Sequence, residues 1–255
     1  MESEVRYISN KLLVCHSQVY TIKETDFNKF FDEETQFAMV IAALCHDVGH
    51  RGKSNGFEIN TLSNLAIRYH DNSVLEQYHA AFTMKIMMKH EYNILGELEG
   101  SEFRNIRAII IECILATDMM EHFDMIEEVN NIADKVKDKK DGFEEHELSL
   151  ARKLVTHMSD LSGSAKSFDV ARVWSKRICQ EFSNQVNILF KILSTMKKLS
   201  LEFQSPHILK ILIKLMFIAL IKSNSIKMLL DHCLKLLINL LEASLHGLLI
   251  LLMKM

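Results

Sequence analysis

One proline and eight glycines in 255 residues leave this chain few places at which a helix must break. Strands and tight turns draw on both residues, whereas Leu, Ile, Met, Lys and Glu, which abound here, enter helices at little cost. The composition therefore predicts an all-α fold. With 48% apolar residues the chain can bury the core of one large helical domain over 1–255, a compact multi-helix bundle.

A formal net charge of −3 offers no basic face for gripping a phosphate backbone, so a polymeric nucleic-acid partner is not expected. Cys15, Cys45, Cys113, Cys179 and Cys233 are odd in number and widely spaced in apolar context. They read as neither a disulfide framework nor a Cys-x-x-Cys clip, which points to a reducing, intracellular setting, either cytoplasmic or on the cytoplasmic face of a membrane. The first thirty residues carry Glu2, Glu4, Arg6, Lys11, Lys23 and Glu24 without a long apolar run, so no secretory signal is read there.

Apolar residues recur at helical spacing from Thr35 to His50, and a Gly-, Asn- and Ser-rich loop follows from Arg51 to Phe57. Helices are expected over 60–70 and 74–91, with Ser73 and Glu76 forming a capping box. Further helices are expected over 101–123, capped by Ser101, and over 147–159 and 169–184, with Trp174 in the core. Residues 130–147, dense in Lys and Asp, read as a solvated connection. Beyond Val186 the texture changes to Leu, Ile and Lys, and after Gln204 the only acidic residues are Asp231 and Glu242. That tail, 186–255, suits amphipathic helices that complete the bundle or lie on an anionic membrane surface.

The chemistry concentrates in Cys45-His46-Asp47-Val48-Gly49-His50. Adjacent His and Asp at the end of a buried helix supply a neutral nitrogen and a carboxylate, a pair suited to zinc, while oxygen-rich neighbours suit magnesium or manganese. His50, one helical turn after His46, is expected to share its face. A lone His-Asp pair is more often surface or capping chemistry, so the weight rests on what accompanies it.

With Arg51-Gly52-Lys53-Ser54-Asn55, the segment resembles the His-Asp-x-Asp-His-x-Gly-x-x-Asn pattern of class I 3′,5′-cyclic nucleotide phosphodiesterases, within the His-Asp metal-dependent phosphohydrolase superfamily. Gly49 stands where Asp is commoner. The resemblance continues in order through Tyr69 to His79, Ile114 to Phe123, His157 to Ser162, and Ala171 to Gln185, covering about 36–185.

The resemblance implies an all-helical domain that hydrolyses cAMP, cGMP or both to the 5′-monophosphate with water activated between two divalent ions, zinc at the first site and magnesium or manganese at the second. By position, His46, Asp47 and Asp160 would be metal ligands, with Asp47 reaching both ions. His50, Asn55, Glu76 and Asp118 would orient ligands and waters. Asp47, Asp160, Met119 and Gln204 would line the nucleotide pocket. His79, His90 and His122 read as packed or hydrogen-bonded core histidines.

Two departures accompany the resemblance. The family's motif Tyr-His-Asn-x-x-His-Ala-x-x-Val, anchored on Val14, puts Arg6 at the general acid and Asn10 at a metal ligand, and arginine cannot exchange a proton near neutrality. Gly163-Ser164 replaces Asn-Pro. The implied activity is accordingly an impaired phosphodiesterase. The alternatives are a nucleotidase or triphosphohydrolase of the same superfamily, which the Ser-Val-Leu-Glu and Ala-Thr-Asp-Met stretches weigh against, or a helical pseudoenzyme that binds a nucleotide or partner.

Overall fold

The computed structural model describes residues 2–136 and 142–202, so Gln204 and most of the Leu/Lys-rich tail lie outside the described residues. Those residues form helices α1 (Glu2–Glu24), α2 (Glu33–Cys45), α3 (Asn55–Asn60), α4 (Asn64–Tyr69), α5 (Val74–Met87), α6 (Gly100–Leu115), α7 (His122–Val136), α8 (Glu145–Leu161) and α9 (Phe168–Glu202). No strand occurs among them, and the fold is all-α as the scarcity of breakers predicts. None of the described helices is long and apolar enough to cross a membrane.

The residues cluster into two compact units, one of 1–51 with 64–175 and one of 52–63 with 176 onward. In the first, α2 is the central element. Its Asp32 side chain accepts from Thr35 N–H at 2.8 Å to cap the start. Ala38, Ala42 and Ala43 are fully buried beside Met39, and their small side chains let neighbouring backbones approach closely. Ile106, Ile109, Ile110, Cys113 and Ile114 of α6, Ala80 and Met87 of α5, Val155 of α8 and Ile22 of α1 complete this core with Ala38, Met39 and Ala42. Met125 of α7, Leu150 of α8 and Ala116 form a smaller cluster.

A buried ion pair ties α6 to α8. The Arg152 guanidinium, 6% exposed, donates to Glu112 Oε2 at 3.1 Å and to Glu145 Oε1 at 2.6 Å, while Ser149 Oγ donates to the other oxygen of Glu112. Arg152→Ala is expected to cost about 1–3 kcal/mol, because it strips a half-buried carboxylate of its charge-assisted partner. Glu145→Ala, at the exposed end of the pair, should stay within about 1 kcal/mol of the parent in urea unfolding. Equal losses in the two variants would contradict this division.

In the second unit, Ser54 caps α3. Its Oγ accepts from Phe57 N–H, and both its N–H and Oγ donate to Gln185 Oε1 at 3.0 Å.

Several local expectations need correction. The helix expected over 60–70 is the shorter α4, and α3 begins inside the supposed loop. Ser73 precedes α5 but has φ 40° and makes no side-chain cap, so the Ser73–Glu76 box does not form. His70 and Asp71 also adopt left-handed backbone, and the turn is built by conformation rather than capping. The cap of α6 is Glu99 with Glu102, not Ser101, and the helix stops at Leu115 instead of running to Phe123. Residues 130–136 continue α7 where a connection was expected. Trp174 is half-buried, and His90 is exposed, so neither belongs to the core.

Candidate functional site

The turn that ends α2 sets the first donors. Val48 N–H donates to Cys45 O at 2.9 Å and His50 N–H to Asp47 O at 3.0 Å, while Gly49 adopts φ +75°. Helical phase is therefore lost after His46, and His50 does not share a helical face with it. The His50 ring instead stacks on His79 of α5, with centroids 5.7 Å apart.

Gly49 is needed for two reasons. A side chain there would sit in left-handed backbone, and its Cβ would lie 2.9 Å from Tyr78 Oη and 3.1 Å from Phe82 Cδ1. Gly49→Ala should cost about 1–3 kcal/mol in thermal or urea unfolding. Gly49→Asp, the residue commoner in the resembling pattern, should cost at least as much; a neutral result for both would show that Tyr78 yields freely.

His46 is 1% exposed. Its Nδ1–H donates to Ala43 O at 2.8 Å, which leaves Nε2 facing Asp47 Oδ2 and Asp160 Oδ1, each at 3.2 Å. Nε2 is buried without a well-aligned hydrogen-bond partner. Burial works against a charged imidazole, yet Asp160 and Asp47 outweigh it and hold His46 well above the usual histidine range. For Asp47, burial pushes upward while His46, and then His50 and His79, hold the carboxyl well below its ordinary value.

Asp160 arrives on the last turn of α8, whose Val155 is anchored in the same core as α2. His79 was legible only as a buried histidine, and it is one, at 2% exposure. Its Nδ1–H donates to Val48 O at 2.8 Å, and its Nε2 lies 3.9 Å from Asp47 Oδ1. Burial depresses it to about 4, against the pull of Asp47, so near neutrality it presents an uncharged ring. The His46-Asp47 segment gave no sign of this approach to Asp47, although a histidine in the second turn of α5 could have suggested it.

With His46 held charged, the site sets one imidazolium against the Asp47 and Asp160 carboxylates, and Nε2 offers a lone pair to another partner only once that proton leaves. Two donors bonded to one tetrahedral zinc at about 2.0–2.1 Å stand roughly 3.3 Å apart. The 3.2 Å separations from His46 to each aspartate match that spacing, and one imidazole with two carboxylates suits a divalent ion. Among the described residues, however, no group of three or more His, Cys, Asp or Glu is closed around a single point. The donor set is compatible with an ion but incomplete.

The other expected residues are placed as follows. Asp118 is 4% exposed and its Oδ1 accepts from Met120 N–H at 2.9 Å, capping the short turn that precedes α7. Met119 is half-buried beside it, whereas Met120 is exposed. Glu76 is half-buried in the first turn of α5. Asn55 opens α3 in the second unit. Arg6 and Asn10 lie one turn apart on α1. His122 Nδ1 and His157 Nε2 are 2.9 Å apart, so His122 is hydrogen-bonded as expected, and His157 Nδ1–H donates to Ala116 O at 2.7 Å.

Residues 12–231 match the family described as 3′5′-cyclic nucleotide phosphodiesterase. The chain is 37% identical over 155 residues to a dual 3′,5′-cyclic-AMP and -GMP phosphodiesterase beta of Plasmodium falciparum, covering 59% of this chain and 13% of that protein. It is 36% identical over 148 residues to a dual specificity calcium/calmodulin-dependent 3′,5′-cyclic nucleotide phosphodiesterase 1B of Mus musculus, covering 58% and 26% respectively. It therefore spans about a quarter or less of the length of these relatives. The crystal structure of the phosphodiesterase domain of a RhoPDE fusion protein from the choanoflagellate Salpingoeca rosetta superposes with a TM-score of 0.68 at 32% identity, covering 72% of this chain and 57% of that one.

Proposed function

The chain belongs to the 3′5′-cyclic nucleotide phosphodiesterase family, and from that premise we propose that it hydrolyses cAMP, cGMP or both to the 5′-monophosphate, at a rate lowered by its own departures at positions 6 and 10. The observation that carries this reading is the buried His46 Nε2, facing Asp47 and Asp160 at 3.2 Å with no other partner aligned to it. One relative named for both cyclic nucleotides and another named for dual specificity support keeping both as substrates.

His46, Asp47 and Asp160 would hold a first divalent ion, with zinc favoured by the imidazole, and Asp47 would reach a second that prefers oxygen, magnesium or manganese. When bound, such ions supply charge against the phosphate and make water acidic enough to attack it. The protein's own part begins with His46 Nδ1–H, which is fixed on Ala43 O so that Nε2 points at the pocket. His79, uncharged and tethered to Val48 O, keeps an apolar-faced imidazole beside Asp47 without competing as a cation. In this reading Asp118 and Glu76 orient water, and Met119 and Gln204 touch the nucleotide.

Arg6 stands where the resemblance places the general acid, and its guanidinium does not release a proton near neutrality, so that position offers no proton to the leaving 3′ oxygen. The same fact favours a second reading, a nucleotide-binding protein with little turnover. Formation of 5′-AMP or 5′-GMP, measured with cAMP and cGMP in zinc plus magnesium, separates the two. Binding of either nucleotide without product formation over many hours would select the second, and absence of both binding and product would reject both.

A further inference from the structure

An apolar cavity of about 370 Å³ opens away from His46, between the turn that follows α1 and helices α7 and α8. The residues that line it all belong to the first compact unit, and none of them is a candidate metal ligand or nucleotide contact. Its wall is fixed by backbone and ring contacts. Thr25 Oγ1 accepts from Phe27 N–H at 3.4 Å to start the turn Asp26–Lys29, and Phe27 O accepts from Phe30 and Phe31 N–H at 3.1 and 3.0 Å. The rings of Phe27 and Phe31 stack with centroids 5.5 Å apart, while Phe30 meets Phe143, just before α8, edge to face at 4.4 Å. Gln36 Nε2 of α2 donates to Phe31 O at 2.7 Å, which pins this wall to the central helix.

Among the described lining residues only Glu147 is polar, and its Oε2 accepts from Glu144 N–H at 2.7 Å in the cap of α8. An ordered water in such a space needs about two to four polar partners, which this wall does not supply. An apolar cavity of roughly 150 Å³ already takes up benzene; the present one is more than twice that size and falls in the range of small-molecule sites, roughly 300–1,000 Å³. One turn of a helix, about 10 Å across and about 5.4 Å tall, exceeds it, so the space suits a compact molecule rather than a segment of chain. From Glu127 to Glu147, the stretch that carries the α7 side of the wall and Phe143, the sequence holds eight acidic residues and four lysines. That balance repels an anion.

We propose that this cavity is a binding site for a small uncharged aromatic molecule, one of about two rings, with Phe27, Phe30, Phe31 and Phe143 offering it ring faces and edges. The inference is independent of the phosphodiesterase reading, since no residue of the His46 site lines the cavity.

The test uses the full chain and N-phenyl-1-naphthylamine, an uncharged probe that brightens out of water, beside 8-anilinonaphthalene-1-sulfonate, which has the same ring system and a negative charge. The parent should take up one naphthylamine per chain and bind the sulfonate about tenfold or more weakly. Ala151→Phe on α8 and Val129→Phe on α7 fill the space from two sides, both positions being half-buried in its lining. Each should weaken the naphthylamine about tenfold or more, the loss of roughly one ring's burial, and should melt no lower than the parent, because the new ring enters open space. Phe123→Ser, which removes an exposed ring elsewhere on α7, should leave the affinity unchanged.

Absence of naphthylamine binding in the parent overturns the proposal. So does equal affinity for the sulfonate, or a loss in Phe123→Ser that matches the loss in the two filled variants, since either places the probe on general apolar surface. Displacement of the probe by excess cAMP would put it at the nucleotide site and would overturn the proposal too. If one filled variant unfolds, the other decides; if both unfold, the space is not there and the proposal fails.

Discussion

Replacing Asp160 with Ala is expected to strip the chain of divalent metal while leaving its helices in place. Among the described residues Asp160 supplies one of the two carboxylate oxygens that meet His46 Nε2 at 3.2 Å, so its loss removes a donor from the proposed set. Loss of an outer partner of a metal ligand typically weakens binding by about 10–100-fold, and loss of a ligand should exceed that. The side chain is 29% exposed on the last turn of α8 and contributes nothing to the apolar core, so far-ultraviolet circular dichroism should not change. Elemental analysis after dialysis against zinc checks the metal. A stoichiometry equal to the parent's would remove Asp160 from the site.

The second large effect concerns rate. Without a group at position 6 able to protonate the leaving oxygen, turnover should fall below ordinary enzyme rates of about 1–10³ per second by roughly 10²–10⁴, before weaker metal binding is counted. Arg6→His with Tyr7→Asn and Asn10→His should recover part of that loss. A parent chain that already turns over cAMP or cGMP at ordinary rates would refute the impairment outright.

How far residues alone lead is visible at particular positions. His46 and Asp160, far apart in the chain, face each other at 3.2 Å, and ordered motifs anticipated that meeting. The all-helical fold followed from missing breakers. Periodicity failed where backbone geometry changes without a change in polarity: the apolar pattern runs on through His50, but the i to i+3 bonds after Cys45 end the helix and rotate His50 toward His79. Ser73 looked like a cap, yet its left-handed φ denies it that geometry. His79 was unreadable as part of the site because it is held there through a backbone carbonyl, Val48 O, and carbonyls carry no sequence signature.

The buried alanines of α2 separate the position of the site from the identity of its neighbours on α1. Ala38, Ala42 and Ala43 are fully buried, so a larger residue at any of them has to displace packed neighbours and shift the helix. The end of α2, and with it the place of His46, is therefore set by core packing rather than by Arg6 and Asn10. Exchanging those two residues alters what stands beside the site and leaves the frame that carries it in register.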